Sequence, residues 1–185
     1  RSSVFYGVIE ADLAPSTLLT LGADSQNNVP KGSSWGGIPL YDSNGNFNSL
    51  PRSFNNGANW SRWEQYTRTM FATLEHQFDS GWTGKLQFNH QVNGYDAALG
   101  SAASGFMDPV DGSGISMWTG KYIGKTTSNA IDGYASGPFS LLGREHELVV
   151  GASFSKRRWT NRGYGAQAGY DLSLIHISEP TRPLY

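Results

Sequence analysis

Residues 82–92 decide the fold class of this chain, and they read Trp-Thr-Gly-Lys-Leu-Gln-Phe-Asn-His-Gln-Val. Apolar or small residues alternate with polar ones here, with His90 as the exception. A helix has 3.6 residues per turn and cannot separate this pattern onto two faces, whereas an extended strand does so with a period of two. Residues 69–78 alternate in the same way, and Asp79-Ser80-Gly81 between the two stretches has the composition of a tight turn. The sequence therefore predicts a long β-hairpin.

Two further hairpins are predicted, one towards each end of the chain. Their arms alternate and flank turns that contain proline or glycine, residues that favour turn geometry. Pro15 marks a turn because proline would damage a central strand. About six strands result, and we expect Leu86 and Phe88 to point to the same side of the sheet as Leu148 and Val150. The predicted arms are 4–13 with 16–26, and 129–136 with 146–157.

The connections between hairpins are long. Segments 27–62 and 97–127 are each about thirty residues, rich in Gly, Ser, Asn, Asp and Trp, whereas structureless loops beyond about 12–15 residues are uncommon in compact domains. Short turns therefore alternate with long loops. An outer-membrane barrel has this asymmetry, with short periplasmic turns and long extracellular loops. The sequence predicts an all-β fold, part of an antiparallel transmembrane β-barrel.

Composition excludes several function classes. The chain has 185 residues, with 14 Lys and Arg against 15 Asp and Glu, a net charge of −1. A nucleic-acid binder would be clearly basic, so no nucleic-acid partner is expected. The chain has no cysteine, which excludes disulfide scaffolds and thiol chemistry. No apolar run of about 18 residues exists, but a membrane-spanning strand needs only about 9–11 residues in alternation.

The residues at the strand ends also favour a barrel. The polar faces carry mostly Thr, Gln, Asn and Ser, which suits a water-filled bore better than a charged surface. Phe78, Trp82 and Phe139 lie beside the predicted tight turns, where barrels carry a girdle of aromatic rings. The alternative is that these rings are core residues at the edge of a β-sandwich.

The chain is expected to be an internal fragment. It begins without Met or a signal peptide, and six strands cannot close a lipid-spanning barrel, which has at least about eight. Open sheet edges in hydrocarbon leave backbone groups unpaired at high cost. We therefore expect that the fragment does not insert stably by itself.

Three stretches carry a family resemblance. Residues 7–13 (Gly-Val-Ile-Glu-Ala-Asp-Leu), followed by Leu-Leu-Thr-Leu-Gly at 18–22, resemble the first barrel hairpins of TonB-dependent siderophore receptors. Residues 34–40 (Ser-Trp-Gly-Gly-Ile-Pro-Leu) and 143–151 (Gly-Arg-Glu-His-Glu-Leu-Val-Val-Gly) do the same. The resemblance covers about residues 1–170 and is closest to the ferripyoverdine and ferric hydroxamate type.

The resemblance implies a barrel of about 22 strands with an N-terminal plug, in the outer membrane of a Gram-negative bacterium. It implies a ferric siderophore as the ligand, uptake energised by TonB, contact with outer-membrane lipid, and a monomer when full length. The plug and the TonB box are absent from this segment. No catalytic residue, cofactor or protein-bound metal is expected, because the siderophore itself fills the iron coordination sphere.

Two other function classes fit the same sequence pattern. A passive porin has the same strand pattern but no plug. A secreted carbohydrate-binding β-sandwich would present Trp platforms to sugars, and the apolar face of its sheet would be covered by a second sheet.

The end of the chain departs from the family pattern. Residues 172–182, Leu-Ser-Leu-Ile-His-Ile-Ser-Glu-Pro-Thr-Arg, resemble the translation of a transposase adapter from sequencing libraries. We therefore expect residues 1–171 to be a partial receptor barrel and residues 172–185 to be a non-native tail. The alternative is a native strand, since 172–177 is apolar enough to pair.

The first long loop contains the candidate ligand contacts. A bulky ferric chelate needs flat aromatic surfaces and a few hydrogen bonds, which loop aromatics on a rigid scaffold supply. Trp35 and Trp60 match aromatic positions of the family loop, while Trp118 and Tyr122 in the next loop are weaker candidates. Alternatively, these rings pack the loop on itself or form the outer girdle. The predicted ligand-binding residues are Trp35, Tyr41, Trp60 and Trp63.

Four arginines lie near the predicted outer strand ends. They could attract an acidic ligand or bind lipopolysaccharide phosphates, although such charges are more often simply solvated. They are Arg62, Arg157, Arg158 and Arg162.

Overall fold

A computed structural model describes residues 2–37, 39–164 and 171–172. Within these ranges the chain forms one antiparallel sheet in which the first six strands lie in sequence order, each paired with its neighbour from β1 to β6. The predicted all-β fold of about six strands is confirmed. No helix in the described part of the chain is long and apolar enough to cross a membrane. The strands are β1 (Ser2–Ala14), β2 (Thr17–Asn28), β3 (Arg62–Gln77), β4 (Thr83–Gly105), β5 (Ile115–Leu141), β6 (Arg144–Tyr164) and the short β7 (Asp171–Leu172), which pairs with β5.

The register sorts the side chains onto two faces. Direct partners in an antiparallel pair share a face, and Phe88 pairs with Ile131, which pairs with Phe154. We call this side the apolar face, and it also holds Leu86, Leu148 and Val150, as predicted. We call the other side the polar face, where Gln87 pairs with Asp132 and Asp132 with Ser153.

The apolar face has no core beneath it in the described residues. Leu86 is 48% exposed, Phe88 45% and Phe154 69%. A β-sandwich would bury these side chains under a second sheet about 10 Å away. The apolar residues that are buried all lie at one end of the single sheet, beside the longer connections: Ala58, Ala97, Leu99, Ala102 and Ile115.

The opposite end of the sheet, which we call the turn end, carries the tight turns. Leu142 and Gly143 link β5 to β6 with φ of 53° and 73°, the pattern of a two-residue type I′ turn. The turn between β3 and β4 uses Gly81 at φ 78°. Pro15 lies in the turn between β1 and β2, as predicted. We call the other end the loop end.

Several predicted strand boundaries were wrong, most clearly in two places. Most of 97–127 is strand, because β4 continues to Gly105 and β5 begins at Ile115, which leaves a connection of residues 106–114. Pro138 lies within β5 opposite Glu147 and does not begin the turn. In both places backbone pairing with a neighbouring strand outweighs the turn-like local composition.

Aromatic rings at the turn end lie on the apolar face. The ring of Trp82 covers Gly137, and Phe78 lies over Gly84, where a Cβ would be 3.2 Å from Phe78 Cε2. Phe139 packs against His146 with ring centroids 5.3 Å apart. This placement is the one expected of an interfacial girdle.

Candidate functional site

The first long loop, residues 29–61, is fixed to the loop end of β4. Asn56 makes a two-way contact with Ala102: its side-chain amide donates to the Ala102 carbonyl at 3.0 Å, and its own carbonyl accepts from the Ala102 N–H at 3.0 Å. Ala58 N–H donates to the Gly100 carbonyl at 2.8 Å. The segment around Gly57 therefore continues the sheet beside β4 and gives the loop a rigid base.

Trp35 and Trp63 come together on the polar face. Ser101 Oγ donates to the Trp35 carbonyl at 3.0 Å, which holds residue 35 over that face. The two indole rings lie with centroids 5.0 Å apart at an angle of 34°. Trp63 is directly opposite Ala97 in β4, and this small, buried neighbour leaves room for the rings.

More aromatic residues line the same face on β4, β5 and β6. Tyr122 pairs with Ala97 and stacks on Trp118, with centroids 6.2 Å apart and planes 15° apart. Tyr95 lies over Gly124, and its hydroxyl donates to Asn161 Oδ1 at 3.1 Å. We call these residues the bore-side aromatic cluster: Trp35, Trp63, Tyr95, Trp118, Tyr122 and Trp159.

The other two predicted ligand contacts lie elsewhere. Trp60 covers Gly100 on the apolar face, beside Met117, where a Cβ on Gly100 would be 2.6 Å from its ring. Tyr41 packs on Phe47 within the loop, with centroids 4.8 Å apart. The structure therefore joins Trp35 to Trp63 but separates both from Trp60.

Sequence reasoning missed Tyr95 and Trp159. Tyr95 follows Gly94 at the end of the obvious alternation, and Trp159 follows three consecutive basic residues. The available signal was the period of two: extended through Tyr95, it would have placed this ring on the same face as Gln87 and Asn89.

The cluster can bind a ligand through flat surfaces and a few donors. Trp63 Nε1 is the buried side-chain donor that has no hydrogen-bond partner among the described residues. Aromatic faces provide large apolar contact, whereas the Trp63 N–H is buried and presents no surface to a ligand. Arg157 adds a positive charge on the same face, since it pairs with Ser128.

Charges at the loop end are partly compensated. Asp96 forms ion pairs with Lys121 and, at 4.0 Å, with Arg62. In the 106–114 connection, hydrogen bonds from the Ser113 side chain and N–H to the carboxylate lower the pKa of Asp111. The described residues include no group of three or more His, Asp or Glu side chains placed to hold a metal ion.

Comparison with known proteins shows which proteins this sheet is related to. The chain is 53% identical over 172 residues to the ferripyoverdine receptor of Pseudomonas aeruginosa, covering 92% of this chain and 21% of that protein. This chain is related to one segment of a ferripyoverdine receptor. It is also 36% identical to the ferric-pyoverdine BN7/BN8 receptor of Pseudomonas putida, covering 89% of this chain and 20% of that protein. No family model matches the chain.

Solved structures agree with this relationship. The chain matches a crystal structure of the ferripyoverdine receptor of the outer membrane of Pseudomonas aeruginosa, bound to ferripyoverdine. The TM-score is 0.84 at 54% identity, over 92% of this chain and 22% of that chain. The chain therefore spans about a fifth of the length of these relatives. The resemblance to TonB-dependent siderophore receptors and the outer-membrane location are confirmed.

The relationship assigns the two faces of the sheet. The fold is a segment of an antiparallel outer-membrane barrel, so the apolar face is lipid-facing and the polar face is bore-facing. The similarity to an outer-membrane receptor structure favours the barrel over the secreted carbohydrate-binding β-sandwich, and the apolar face of the described sheet is exposed. The relatives are siderophore receptors rather than porins.

Proposed function

We propose that the full-length protein containing this segment is an outer-membrane receptor for a ferric siderophore, of the ferric pyoverdine class. The observation that carries the proposal is the 53% identity to a ferripyoverdine receptor along nearly the whole segment. Uptake is energised by TonB through a plug and TonB box encoded outside the segment, and the receptor works as a monomer. It catalyses no reaction, and the iron remains inside the chelate.

The bore-side aromatic cluster is the ligand surface in this proposal. Trp35 and Trp63 offer two flat rings at the loop end, with centroids 5.0 Å apart. Tyr41, which packs on Phe47 within the first long loop, is a proposed contact outside this cluster. Trp60 faces lipid at the loop end, and we assign it to the outer girdle rather than to the ligand.

Fluorescence titration of the full-length receptor with ferric pyoverdine tests this function. Binding should quench tryptophan emission, and the absence of quenching at micromolar ligand would contradict the receptor function. Replacing Trp63 by Phe should raise the Kd by up to about tenfold, because the smaller ring loses part of an aromatic contact that contributes about 0.5–1.5 kcal/mol. The matched control is Trp60→Phe, which should leave the Kd unchanged. Equal effects of both substitutions would overturn the assignment of the site.

The domain assignment is also a proposal. Residues 1–171 are assigned to the receptor segment and residues 172–185 to a non-native tail, and of these, residues 165–170 and 173–185 lie outside the described residues. Long-read sequencing of the gene should show a different coding sequence after codon 171. An unchanged sequence at these codons would overturn the assignment.

A further inference from the structure

The lipid-facing side of β6 changes chemistry abruptly towards the loop end. Leu148, Val150, Ala152 and Phe154 form its apolar stripe, and the next residues on the same face, at every second position, are Lys156, Arg158, Thr160 and Arg162. Side chains at every second position of a strand point to the same side. The stripe that touches acyl chains is thus continued on β6 by three cations, Lys156, Arg158 and Arg162.

The neighbouring strand adds to this group. Asn129 pairs with Lys156, Thr127 with Arg158, and Lys125 with Thr160. The six side chains surround a shallow concavity of about 560 Å³ on the lipid-facing side. We call them the basic patch: Lys125, Thr127, Asn129, Lys156, Arg158 and Thr160.

The cations of the patch have no acidic partner in the described residues. The ion pairs found among the described residues involve other cations, namely Arg62, Lys85 and Lys121. The carboxylate of Asp96, on the same face further towards the loop end, is already paired with Lys121. Arg157 points to the bore, between Lys156 and Arg158. The three cations of the patch, Lys125, Lys156 and Arg158, therefore lie together without a counter-charge on a surface turned towards lipid.

The height of the patch matches the membrane boundary. On β6, the aromatic contact of Phe139 with His146 marks the turn-end girdle. From His146 to Lys156 the strand advances about ten residues, or about 34 Å, and a tilt of about 40° reduces this to about 26 Å. The apolar band of outer-membrane barrels is about 25 Å tall. Lys156 therefore lies where the acyl chains end and the headgroups begin, on the extracellular side.

We propose that the basic patch binds the phosphate groups of an outer-leaflet glycolipid of the lipid A type. Arg158 can form two parallel hydrogen bonds with a phosphate, and Lys125 and Lys156 add point charges. Thr127, Asn129 and Thr160 supply neutral donors beside them. The stripe from Leu148 to Phe154 runs directly below the patch, so a single lipid can place its phosphates on the patch and its acyl chains on the stripe. This continuity favours a lipid over free phosphate.

Binding to the purified full-length receptor in detergent tests the proposal. The probes are bisphosphorylated lipid A, the same lipid after enzymatic removal of both phosphates, and inorganic phosphate, with complexes counted by native mass spectrometry. The triple substitution Lys125→Gln, Lys156→Gln and Arg158→Gln should weaken binding of bisphosphorylated lipid A at least about tenfold. Removing the phosphates from the lipid should have the same effect as removing the cations from the receptor. Dephosphorylated lipid A should therefore bind the unsubstituted receptor only weakly, with the affinity that the triple variant has for bisphosphorylated lipid A.

The controls separate this proposal from the siderophore function. Arg157→Gln removes a neighbouring bore-side charge and should leave lipid binding unchanged, and Lys156→Arg should retain it. Affinity of the triple variant for ferric pyoverdine should stay at its original value, which also shows that the variant is folded. Three outcomes would each overturn the proposal: equal binding of both lipids, loss of lipid binding in Arg157→Gln, and displacement of the lipid by millimolar inorganic phosphate. It depends on the outer-membrane placement and not on the identity of the siderophore.

Discussion

The ring of Tyr66 lies on Gly94, its direct partner in the adjacent strand, on the lipid-facing side of the sheet. A Cβ at residue 94 would collide with the Cζ and Oη atoms of the tyrosine. The guanidinium of Arg68 lies 5.4 Å from the centroid of the same ring. Glycine at this position thus keeps an amphipathic ring flat against the sheet at the loop end of the apolar band, where barrels carry their outer girdle.

Replacing Gly94 by Ala should destabilise the barrel by about 1–3 kcal/mol, because the tyrosine ring must move off the sheet. The free energy of unfolding of the full-length receptor in lipid vesicles, measured by denaturant titration, checks this. The control is Gly133→Ala on the same face, where a new Cβ would meet Leu86 Cδ1 at an ordinary 3.5 Å. Equal losses from both substitutions would contradict the role of Tyr66.

Two adjacent valines test the assignment of the faces. Val150 pairs with Ala135 on the lipid-facing side, and Val149 pairs with Ser136 on the bore side. Val150→Lys should destabilise the receptor in vesicles by about 2–4 kcal/mol, the cost of a cation near the middle of the bilayer. Val149→Lys should cost much less, because its ammonium group reaches water in the bore. The reverse order would mean that the faces are interchanged.

The turn between β5 and β6 holds a non-glycine residue in a conformation that favours glycine or asparagine. Leu142 has φ of 53° and is 93% exposed, so its side chain gains no packing in return for the strain. Leu142→Asn should stabilise the receptor by about 1 kcal/mol, since asparagine tolerates this region and Asn-Gly is favoured in type I′ turns. A raised midpoint of thermal unfolding checks this. Gly143→Ala is the opposing control and should lower the midpoint, because φ of Gly143 is 73°.

The sequence predicted the hairpins where polar and apolar residues alternate regularly. The prediction of strands failed where the residues are small. Residues 97–105 are Ala, Gly, Ser and Leu, which have weak strand propensity and show no alternation. They form a strand because β5 supplies a ladder of partners up to Ile115, with one register shift between Ala102 and Ser104. Their small size also lets Trp60 lie on Gly100 and Tyr122 lie beside Ala97. A pairing partner distant in sequence decided this region, and no local pattern could reveal it.

The candidate site was only partly predictable for a related reason. Aromatic composition identified Trp35 and Trp63, but their contact depends on Ser101, which is 66 residues from Trp35 and holds its carbonyl. Trp60 belonged to the same predicted group because it lies in the first long loop and matches an aromatic position of the family loop. Trp60 lies in a turn that is closed by the hydrogen bond from the Ser61 N–H to the Ala58 carbonyl, just before β3 begins, and its ring lies on the opposite side of the sheet from that of Trp63.

The anchor of the first long loop gives the last prediction. Asn56 is 5% exposed and, besides its bonds to Ala102, accepts a hydrogen bond from Ser34 Oγ at 2.5 Å. Asn56→Ala leaves the Ala102 carbonyl and the Ser34 hydroxyl without these partners, which costs about 1–3 kcal/mol locally. The loop should then open more often, and limited proteolysis of the full-length receptor should cut within residues 29–61 at least about fivefold faster. Asn44→Ala changes an exposed residue of the same loop and should leave the cleavage rate unchanged. Because the anchored loop also carries Trp35, the Asn56 variant should bind ferric pyoverdine more weakly. A rise in cleavage without a loss of affinity would show that the loop anchor does not support the ligand site.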